Sequence, residues 1–427
     1  MSLGSSFQYS PPRHHHQETH NNNLQLAPPT QNIPDQLHHH QVHMRQLIIC
    51  CAQLISRSDF SAAQHLLAFL SSHTSPSSHD STDRLLHYFT LALTLRLDNA
   101  IYSSNRCYSN IDIHHFNLQS SYLSLNQITP FIRFCHLTAN QAILEAIDQS
   151  QTQQSDNHQH YNYSSQCIHI LDFNIMHGLQ WPSLMQAIVT INPKLTLRIT
   201  SIGTNLDTLR KTGDRLSNFA NSLGLNFRFH PLLFSNQDNI NDLICHLSSI
   251  VFRPNEILVV NFVLYLHRLL RNRENLCFLL RKIRTMNPKV VTLAEREANH
   301  NQPLFMSRFG EALKYYTAVF DSMEATLPPN SRERTEVEQI WFGREIADIV
   351  AAEGEMRSER HERFRSWEAM MRSGGFRMIP LSAFAVAQAK LLLRIHYPSQ
   401  GYSLEVFNES FNLGWQNQPL FSVSSWH

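Results

Sequence analysis

The first part of the chain carries apolar residues at helical spacing, beginning at Met44. Repeats of three and four positions place such side chains on one face of a helix. The first of these faces consists of Leu47, Ile48, Cys51, Leu54 and Ile55. Asp59 is a residue type that caps helix N-termini, and similar apolar faces follow it. Residues 44–147 are therefore predicted to form leucine-rich amphipathic helices.

From residue 166 onward, short β-rich runs alternate with helical segments. The predicted strands are 167–172, 195–201, 225–232, 256–262 and 289–293. Helices are predicted between them, beginning near Gly178, Asn205, Gln237 and Tyr265. This alternation is typical of a parallel sheet with helices on both faces.

The last part of the chain predicts two antiparallel strands, 401–407 and 411–426, with turns at 408–409 and 416–419. Five parallel strands followed by an antiparallel hairpin is the order of Rossmann-like methyltransferases. The predicted fold class is therefore α/β with a sheet of that type. Fold class alone does not assign a function.

About a hundred residues separate the fifth strand from the hairpin, too many for one connection. Helices are predicted there near 303–327, 336–352 and 359–373. We expect some of them to pack on the helices of 44–147 and complete an α-helical cap. The α/β core would then span 166–427, with additional helices at about 300–373.

Composition separates the first 43 residues from the rest. Residues 1–43 are rich in His, Asn, Gln and Pro and poor in apolar side chains. Such a segment buries too little surface to offset chain entropy, so it is predicted to be a disordered low-complexity tail. Its histidine triplets, 14–16 and 38–40, have no fixed geometry and would bind metal only adventitiously. No cofactor and no metal site are expected.

Charge and cysteine usage exclude several classes of protein. The net charge is +1 with neutral histidines, without the strongly basic surface of an autonomous DNA binder. Contact with DNA is therefore expected to be indirect. The seven cysteines are dispersed without CxxC spacing, which favours reduced thiols in an intracellular protein. No apolar run reaches the roughly 18 residues of a membrane span, and the start lacks the pattern of a secretion signal.

Residues 168–182 read Ile-His-Ile-Leu-Asp-Phe-Asn-Ile-Met-His-Gly-Leu-Gln-Trp-Pro. This segment resembles the VHIID motif of the GRAS family, and the motif itself corresponds to Ile168, His169, Ile170, Leu171 and Asp172. Leucine-rich blocks lie on both sides of it. PFYRE-like blocks at 327–334 and 341–346 and a SAW-like end at 367–426 follow in the order of that family. The resemblance covers 44–427 as a GRAS domain.

The segments 294–300 and 325–334 are most similar to the lateral suppressor branch of the GRAS family. The resemblance implies a plant nuclear transcriptional regulator that acts largely through protein partners. The implied partners are DNA-bound transcription factors and other GRAS proteins, and a homo- or heterodimer is compatible with this. The branch implies a role in initiating axillary, or lateral, meristems. Two positions depart from the family, since Asn174 replaces the usual Asp and Leu171 the usual Ile.

Polar side chains are concentrated where predicted strands end. They are Asp172, Asn174, His177, Glu295, Glu297 and Asn299. Open α/β sheets bind ligands at this edge, and carboxylates with a histidine would suit acid–base chemistry. The hypothesis we favour is a hydrogen-bonded network that fixes loops beneath the cap.

Two alternatives to a partner-binding regulator remain: a methyltransferase with retained activity, and weak direct DNA binding in a groove between cap and core. Methyl-donor loops use several glycines, but the loop after Asp172 has one, Gly178, behind the bulky Phe173. The second strand ends in Thr200 and Ser201, without a carboxylate for ribose. Both features favour a protein that is not an enzyme.

Two segments, 266–270 and 276–280, match the LxxLL docking pattern. The leucines concerned are Leu266, Leu269, Leu270, Leu276, Leu279 and Leu280. Such helices can lie in a partner's groove, but core packing is the commoner use of this spacing and is the prediction here. Farther along, Glu353/Arg357, Glu359/Arg363 and Glu368/Arg372 are spaced as i,i+4 pairs on a solvated helix face.

Overall fold

A computed structural model of the protein describes residues 33–102, 115–155, 167–234, 240–253, 256–328 and 330–427. Most of the predicted tail lies outside these residues, so its disorder stays a prediction. Gln41–His427 form one compact unit. The sheet, the cap and the site described below belong to this unit.

Helices precede the sheet, as the apolar spacing predicts. They are α1 (Ile33–Ser56), α2 (Phe60–His73), α3 (Ser81–Tyr102), α4 (His115–Ile128) and α5 (Phe131–Ser155). The predicted N-cap of α2 is confirmed, because the Asp59 carboxylate accepts the Ala62 N–H at 3.3 Å. Ile48, Cys51 and Ile55 of α1 are buried on its inner face.

The first helix begins at Ile33, so the end of the predicted tail at residue 43 is wrong. Adding turns to an existing helix avoids the cost of nucleation, which allows a polar segment to extend α1. Pro34 stands in the first turn, where its missing N–H leaves no hydrogen bond unmade. The Gln41 amide then donates to the Asp80 carboxylate at 3.0 Å.

One mixed sheet forms the core. Its strands are β1 (Cys167–Asp172), β2 (Thr196–Gly203), β3 (Asn226–Leu233), β4 (Glu256–Val263), β5 (Val290–Arg296), β6 (Met378–Ile379), β7 (Tyr402–Phe407), β8 (Ser410–Trp415) and β9 (Gln418–Trp426). Their order is β3-β2-β1-β4-β5-β9-β8-β7, and β6 pairs with β9 off this path. Strands β1 to β5 are parallel, and each lies within three residues of its predicted bounds. The predicted Rossmann-like α/β class is confirmed.

The antiparallel end of the sheet contains three strands where the pattern predicts a hairpin. Strand β9 runs antiparallel to β5, with Val291 opposite Trp426. The predicted turn at 416–419 divides the long second strand, and Gln416 adopts a positive φ of 52° there. Strands β8 and β7 then continue the sheet outward from β9.

Helices cover both faces of the sheet and fill the long insertion after β5. Those of the core are α6 (Trp181–Ile191), α7 (Leu206–Ser222), α8 (Ile240–Ser249), α9 (Leu266–Leu269) and α10 (Arg273–Thr285). The later ones are α11 (Phe305–Thr326), α12 (Arg332–Glu336), α13 (Gly343–Ala351), α14 (Phe364–Ser373) and α15 (Ala383–His396), with a π-helical turn at Val337–Phe342.

The insertion packs on the N-terminal helices and completes the cap, as predicted. Phe89 of α3 meets Phe309 of α11 edge-on, with ring centroids 5.5 Å apart. The buried Arg84 guanidinium of α3 contacts Glu338 at 2.9 Å and Glu324 at 2.7 Å. The cap is therefore assembled from two parts of the chain that are far apart in sequence.

Candidate functional site

The VHIID-like motif occupies β1 at the centre of the sheet. All of its side chains are buried, with Ile168 and Ile170 in one apolar cluster and Leu171 in another. The His169 imidazole contacts Thr200 Oγ1 at 2.8 Å, and burial lowers its pKa to about 4. The motif therefore supports the sheet, and Asp172 alone reaches the strand end.

Asp172 fastens the loop that follows β1. One carboxylate oxygen accepts the Trp181 Nε1–H at 2.8 Å, and the other accepts the Asn174 backbone N–H at 3.0 Å. Burial raises the pKa of Asp172 to about 6. The Asn174 side-chain amide donates to the carbonyls of Val263 and Leu264 at 3.0 and 3.2 Å. An ionised aspartate, the usual residue of the family here, has no N–H to donate to these carbonyls. The asparagine therefore makes two hydrogen bonds between the β1 loop and the end of β4 that an aspartate could not make.

The remaining predicted polar residues lie at the same edge but bind different partners. Glu297 accepts the Phe364 N–H at the start of α14, at 2.9 Å. The His177 ring stacks on Tyr122 with centroids 6.3 Å apart. Asn299 is half-buried. The other five residues predicted as one cluster therefore bind different partners and attach different loops.

Glu295 is the centre of a buried group that the sequence pattern does not predict. One carboxylate oxygen accepts the backbone N–H groups of Tyr265 and His267 at 3.0 and 3.3 Å. The other lies 2.7 Å from His267 Nδ1. The carboxylate therefore fixes both the backbone at the start of α9 and the orientation of the imidazole.

The opposite side of the His267 ring faces a loop between cap and core. His267 Nε2 lies 3.1 Å from Glu359 Oε2, and His361 Nε2 lies 3.3 Å from the same oxygen. His361 Nδ1 is 3.0 Å from His300 Nδ1. All four side chains are buried.

The pKa values of the histidines in this group are shifted in opposite directions. Burial alone would lower the pKa of His267, but attraction to the carboxylates of Glu295 and Glu359 raises it to about 9. Burial lowers the pKa of His361 to about 4, and it holds the pKa of His300 well below the usual range. The pKa values of Glu295 and Glu359 are lowered despite burial, mainly by their histidine neighbours.

Glu359 escapes prediction because its segment is not helical. Residues 352–363 form an irregular loop with one short 3₁₀ turn, so the predicted Glu353/Arg357 and Glu359/Arg363 pairs are wrong. Glu353 instead contacts Arg96 at 2.7 Å, across the cap. The third pair, Glu368 and Arg372, lies on α14 and forms at 2.9 Å, as predicted.

The LxxLL docking hypothesis is wrong for this structure. Its six leucines, in α9 and α10, are all buried against the sheet and belong to one apolar cluster with Phe262 and Trp426. A partner could reach them only if both helices left the core. The alternative prediction, core packing, is confirmed.

Shortening one of these leucines should destabilise the fold. Leu279→Ala is expected to lower the free energy of unfolding by about 2–5 kcal/mol, because it leaves a cavity in the core. Phe278 on the same helix is 53% exposed and provides the matched control, since Phe278→Ala removes surface contacts only. Urea unfolding of both variants measures the difference. Equal losses would show that α10 is not anchored through Leu279.

Gly178, in the loop after β1, packs closely against α7. It has a φ of 71°, and a Cβ there would lie 3.1 Å from Leu216 and Thr212. The single glycine of this loop is therefore required by its backbone conformation and by helix packing. A cavity of about 300 Å³ lies elsewhere, in the cap, between Phe60, Arg96 and Met356.

Comparison with known proteins identifies relatives along most of the chain. The model of the GRAS domain family matches residues 44–427. Scarecrow-like protein 18 of Arabidopsis thaliana is 45% identical over 418 residues, covering 90% of this chain and 91% of the relative. Protein MONOCULM 1 of Oryza sativa subsp. japonica is 40% identical over 407 residues, covering 90% and 88%.

A solved structure supports the same assignment. The crystal structure of SCL7 in Oryza sativa matches with a TM-score of 0.72 at 33% identity, covering 90% of this chain and 99% of that one. Within the described residues, every helix is too short or too polar to cross a membrane.

Proposed function

We propose a function from the premise that the chain belongs to the GRAS domain family and is a plant transcriptional regulator of its lateral suppressor branch. It acts in the nucleus, mainly by binding other proteins. Its partners are DNA-bound transcription factors and other GRAS proteins, in a homo- or heterodimer. The process it controls is the initiation of axillary meristems.

The main support for a protein that is not an enzyme comes from the hydrogen bonds of the carboxylates at the strand ends. Asp172, Glu295 and Glu297 each accept N–H groups of the protein itself. A general acid or base needs an oxygen directed at a substrate, in a space that a substrate can enter. Here the carboxylates hold loops together, which supports a binding protein and argues against a methyltransferase.

Charge supports indirect contact with DNA. A protein that binds DNA by itself neutralises many phosphates and is correspondingly basic, but this chain has a net charge of only +1. The named relatives support the regulatory role, since they include the DELLA protein RGL1 of Arabidopsis thaliana, at 32% identity over 388 residues. Sequence specificity at a promoter would then come from the partner.

The test of location and process uses plants that lack the gene. They are expected to form fewer axillary shoots, and the full chain should restore them. A chain fused to a nuclear export signal should fail to restore them, and one fused to an inactive version of that signal is the control. Restoration by the exported chain would contradict nuclear action.

Two measurements on the purified full chain separate the alternatives. Calorimetric titration with S-adenosylmethionine is expected to show no binding, and micromolar affinity would favour the methyltransferase. Titration of promoter DNA at physiological salt is expected to give no affinity beyond the non-specific range of about 10⁻⁴–10⁻⁶ M. Nanomolar, sequence-specific binding by the chain alone would favour direct DNA recognition.

A further inference from the structure

Three ligand-type atoms converge in the buried group between cap and core. They belong to His267 at the start of α9 and to Glu359 and His361 in the loop before α14. One atom from each lies within 4.8 Å of the other two. Glu359 and His361 are two positions apart in that loop, and both side chains are buried.

The two imidazoles are not directed at the carboxylate in the manner of hydrogen bonds. His267 Nε2 and His361 Nε2 lie 3.1 and 3.3 Å from Glu359 Oε2. Both nitrogens are nevertheless buried without a hydrogen bond to any protein group. The group is therefore a close approach of three buried ligand-type atoms.

We propose that His267, Glu359 and His361 bind a divalent zinc ion. Two imidazole nitrogens and one carboxylate oxygen are a recognised zinc ligand set. Bonds of about 2.0–2.2 Å in a tetrahedron separate neighbouring ligand atoms by roughly 3.4 Å. The two measured separations, 3.1 and 3.3 Å, are close to that edge length.

The neighbouring groups hold the imidazoles in the form that a metal requires. A ligating histidine usually donates its other N–H to a carboxylate or a similar acceptor. For His267 that acceptor is Glu295, 2.7 Å from Nδ1. For His361, the acceptor is His300 Nδ1, 3.0 Å away, in the tautomer of His361 that carries its proton on Nδ1. Both Nε2 lone pairs then face the proposed ion.

The charge of the group also matches a divalent cation. Glu295 and Glu359 are two buried carboxylates in contact with His267. A zinc ion would neutralise both carboxylates.

The ion would have a structural role. It joins the end of β4 and the start of α9, in the core, to the loop that leaves cap helix α13. Every ligand is buried, so a substrate has no access, and a fourth position is left for a small ligand such as water. Zinc would therefore hold cap and core together, and this inference stands apart from the proposed regulatory function.

The experiment begins with a full chain whose tail histidines, at 14–16 and 38–40, are changed to Asn. This removes adventitious binding by the tail. After expression with zinc and exhaustive dialysis, elemental analysis is expected to find one zinc per chain, with or without the tail changes. Stripping the ion with a strong chelator should lower Tm by several degrees, because a ligand bound only to the folded state stabilises it.

Variants locate the ion. Glu359→Gln and His361→Gln should reduce the zinc content at least tenfold and abolish the chelator effect on Tm. Glu362→Gln, next to His361 and three positions from Glu359, should retain both, because Glu362 contacts Arg273 and Asn301 instead. Cobalt(II) in place of zinc should give the intense visible absorption of a tetrahedral site.

Three outcomes would overturn the proposal. The first is zinc that disappears with the tail changes alone. The second is a folded Glu359→Gln variant that keeps its zinc. The third is a tail-changed chain whose zinc content and Tm do not respond to the chelator, and this measurement decides the matter even if both ligand variants fail to fold.

Discussion

Ending the chain after Asn412 is expected to unfold the protein, with loss of soluble monomer. The deleted residues include all of β9, which pairs with β5 from Phe421 to Trp426. Phe421 of β9 stacks on Phe131 of the cap at 5.0 Å, and Tyr315 donates to the Leu420 carbonyl at 3.0 Å. The truncation therefore opens the sheet edge and removes a surface on which the cap rests.

The size of the loss exceeds the stability of a typical domain. Six large apolar side chains disappear from the buried interior: Leu413, Trp415, Leu420, Phe421, Val423 and Trp426. At about 1.5–3 kcal/mol each, they contribute roughly 9–18 kcal/mol. Whole domains have a net stability of only about 5–15 kcal/mol. The exposed edge of β5 should then promote aggregation.

Solubility, size-exclusion chromatography and thermal unfolding of the truncated and full chains decide this. The control is Val406→Ser, which changes a 65% exposed residue of β7 and should leave Tm nearly unchanged. The rival hypothesis makes this end a surface peptide for docking partners. It would be supported by a truncated monomer that melts like the parent and has lost only partner binding.

Arg84→Met is expected to cost about 3–5 kcal/mol of unfolding free energy, the usual effect of removing one partner from a buried ion pair. Arg84 is 1% exposed and Glu338 is completely buried. Burial already raises the pKa of Glu338, and Arg84 is the first of the groups that oppose this rise. Without Arg84, the carboxylate must either stay charged without its main partner or take up a proton.

The double variant Arg84→Met/Glu338→Gln tests this explanation. It leaves no unpaired charge on Glu338, so it should be more stable than Arg84→Met alone. Arg372→Met is the surface control, because its pair with Glu368 is solvent-exposed and such pairs contribute at most about 1 kcal/mol. Urea unfolding at neutral pH measures all three. A double variant no more stable than the single one would assign the loss to packing.

Strand positions could be predicted because the parallel strands are buried on both faces. The run Ile257–Val260 is entirely apolar for that reason, and burial limits its alternatives. The start of α1 could not be predicted in this way, since the helix extends into a polar segment where apolar spacing gives no signal. The spacing of apolar residues indicates which helix face is buried, so it gives no signal for a polar helix end that buries no apolar face.

The LxxLL segments show a different limit. A leucine stripe that fits a partner's groove has the same spacing as one that fits the core, so Leu276 and Leu279 alone cannot distinguish the two uses. The buried positions follow only from the tertiary placement of α10 under the sheet. Here the commoner use, core packing, is the one the fold adopts.

The group around Glu295 could not be predicted because its members come from separate parts of the chain. His267 and Glu359 lie in different segments, and the i,i+4 spacing of Glu359 with Arg363 indicates a helix that does not form. A weak signal exists in the Glu-Arg-His order at 359–361, which places an acid and an imidazole two positions apart. Nothing in the sequence names His267 as their partner.

The discontinuous cap has a consequence for synthesis on the ribosome. Arg84 and its partner Glu338 are 254 positions apart, so α3 leaves the ribosome long before the turn that carries Glu338 is made. At a synthesis rate of about 5–20 residues per second, the apolar faces of the first helices stay without their partner helices for roughly 10–50 s. During that time the nascent chain exposes a half-built bundle. We therefore expect these helices to be protected by chaperones, or by packing on one another, until the second half of the cap is translated.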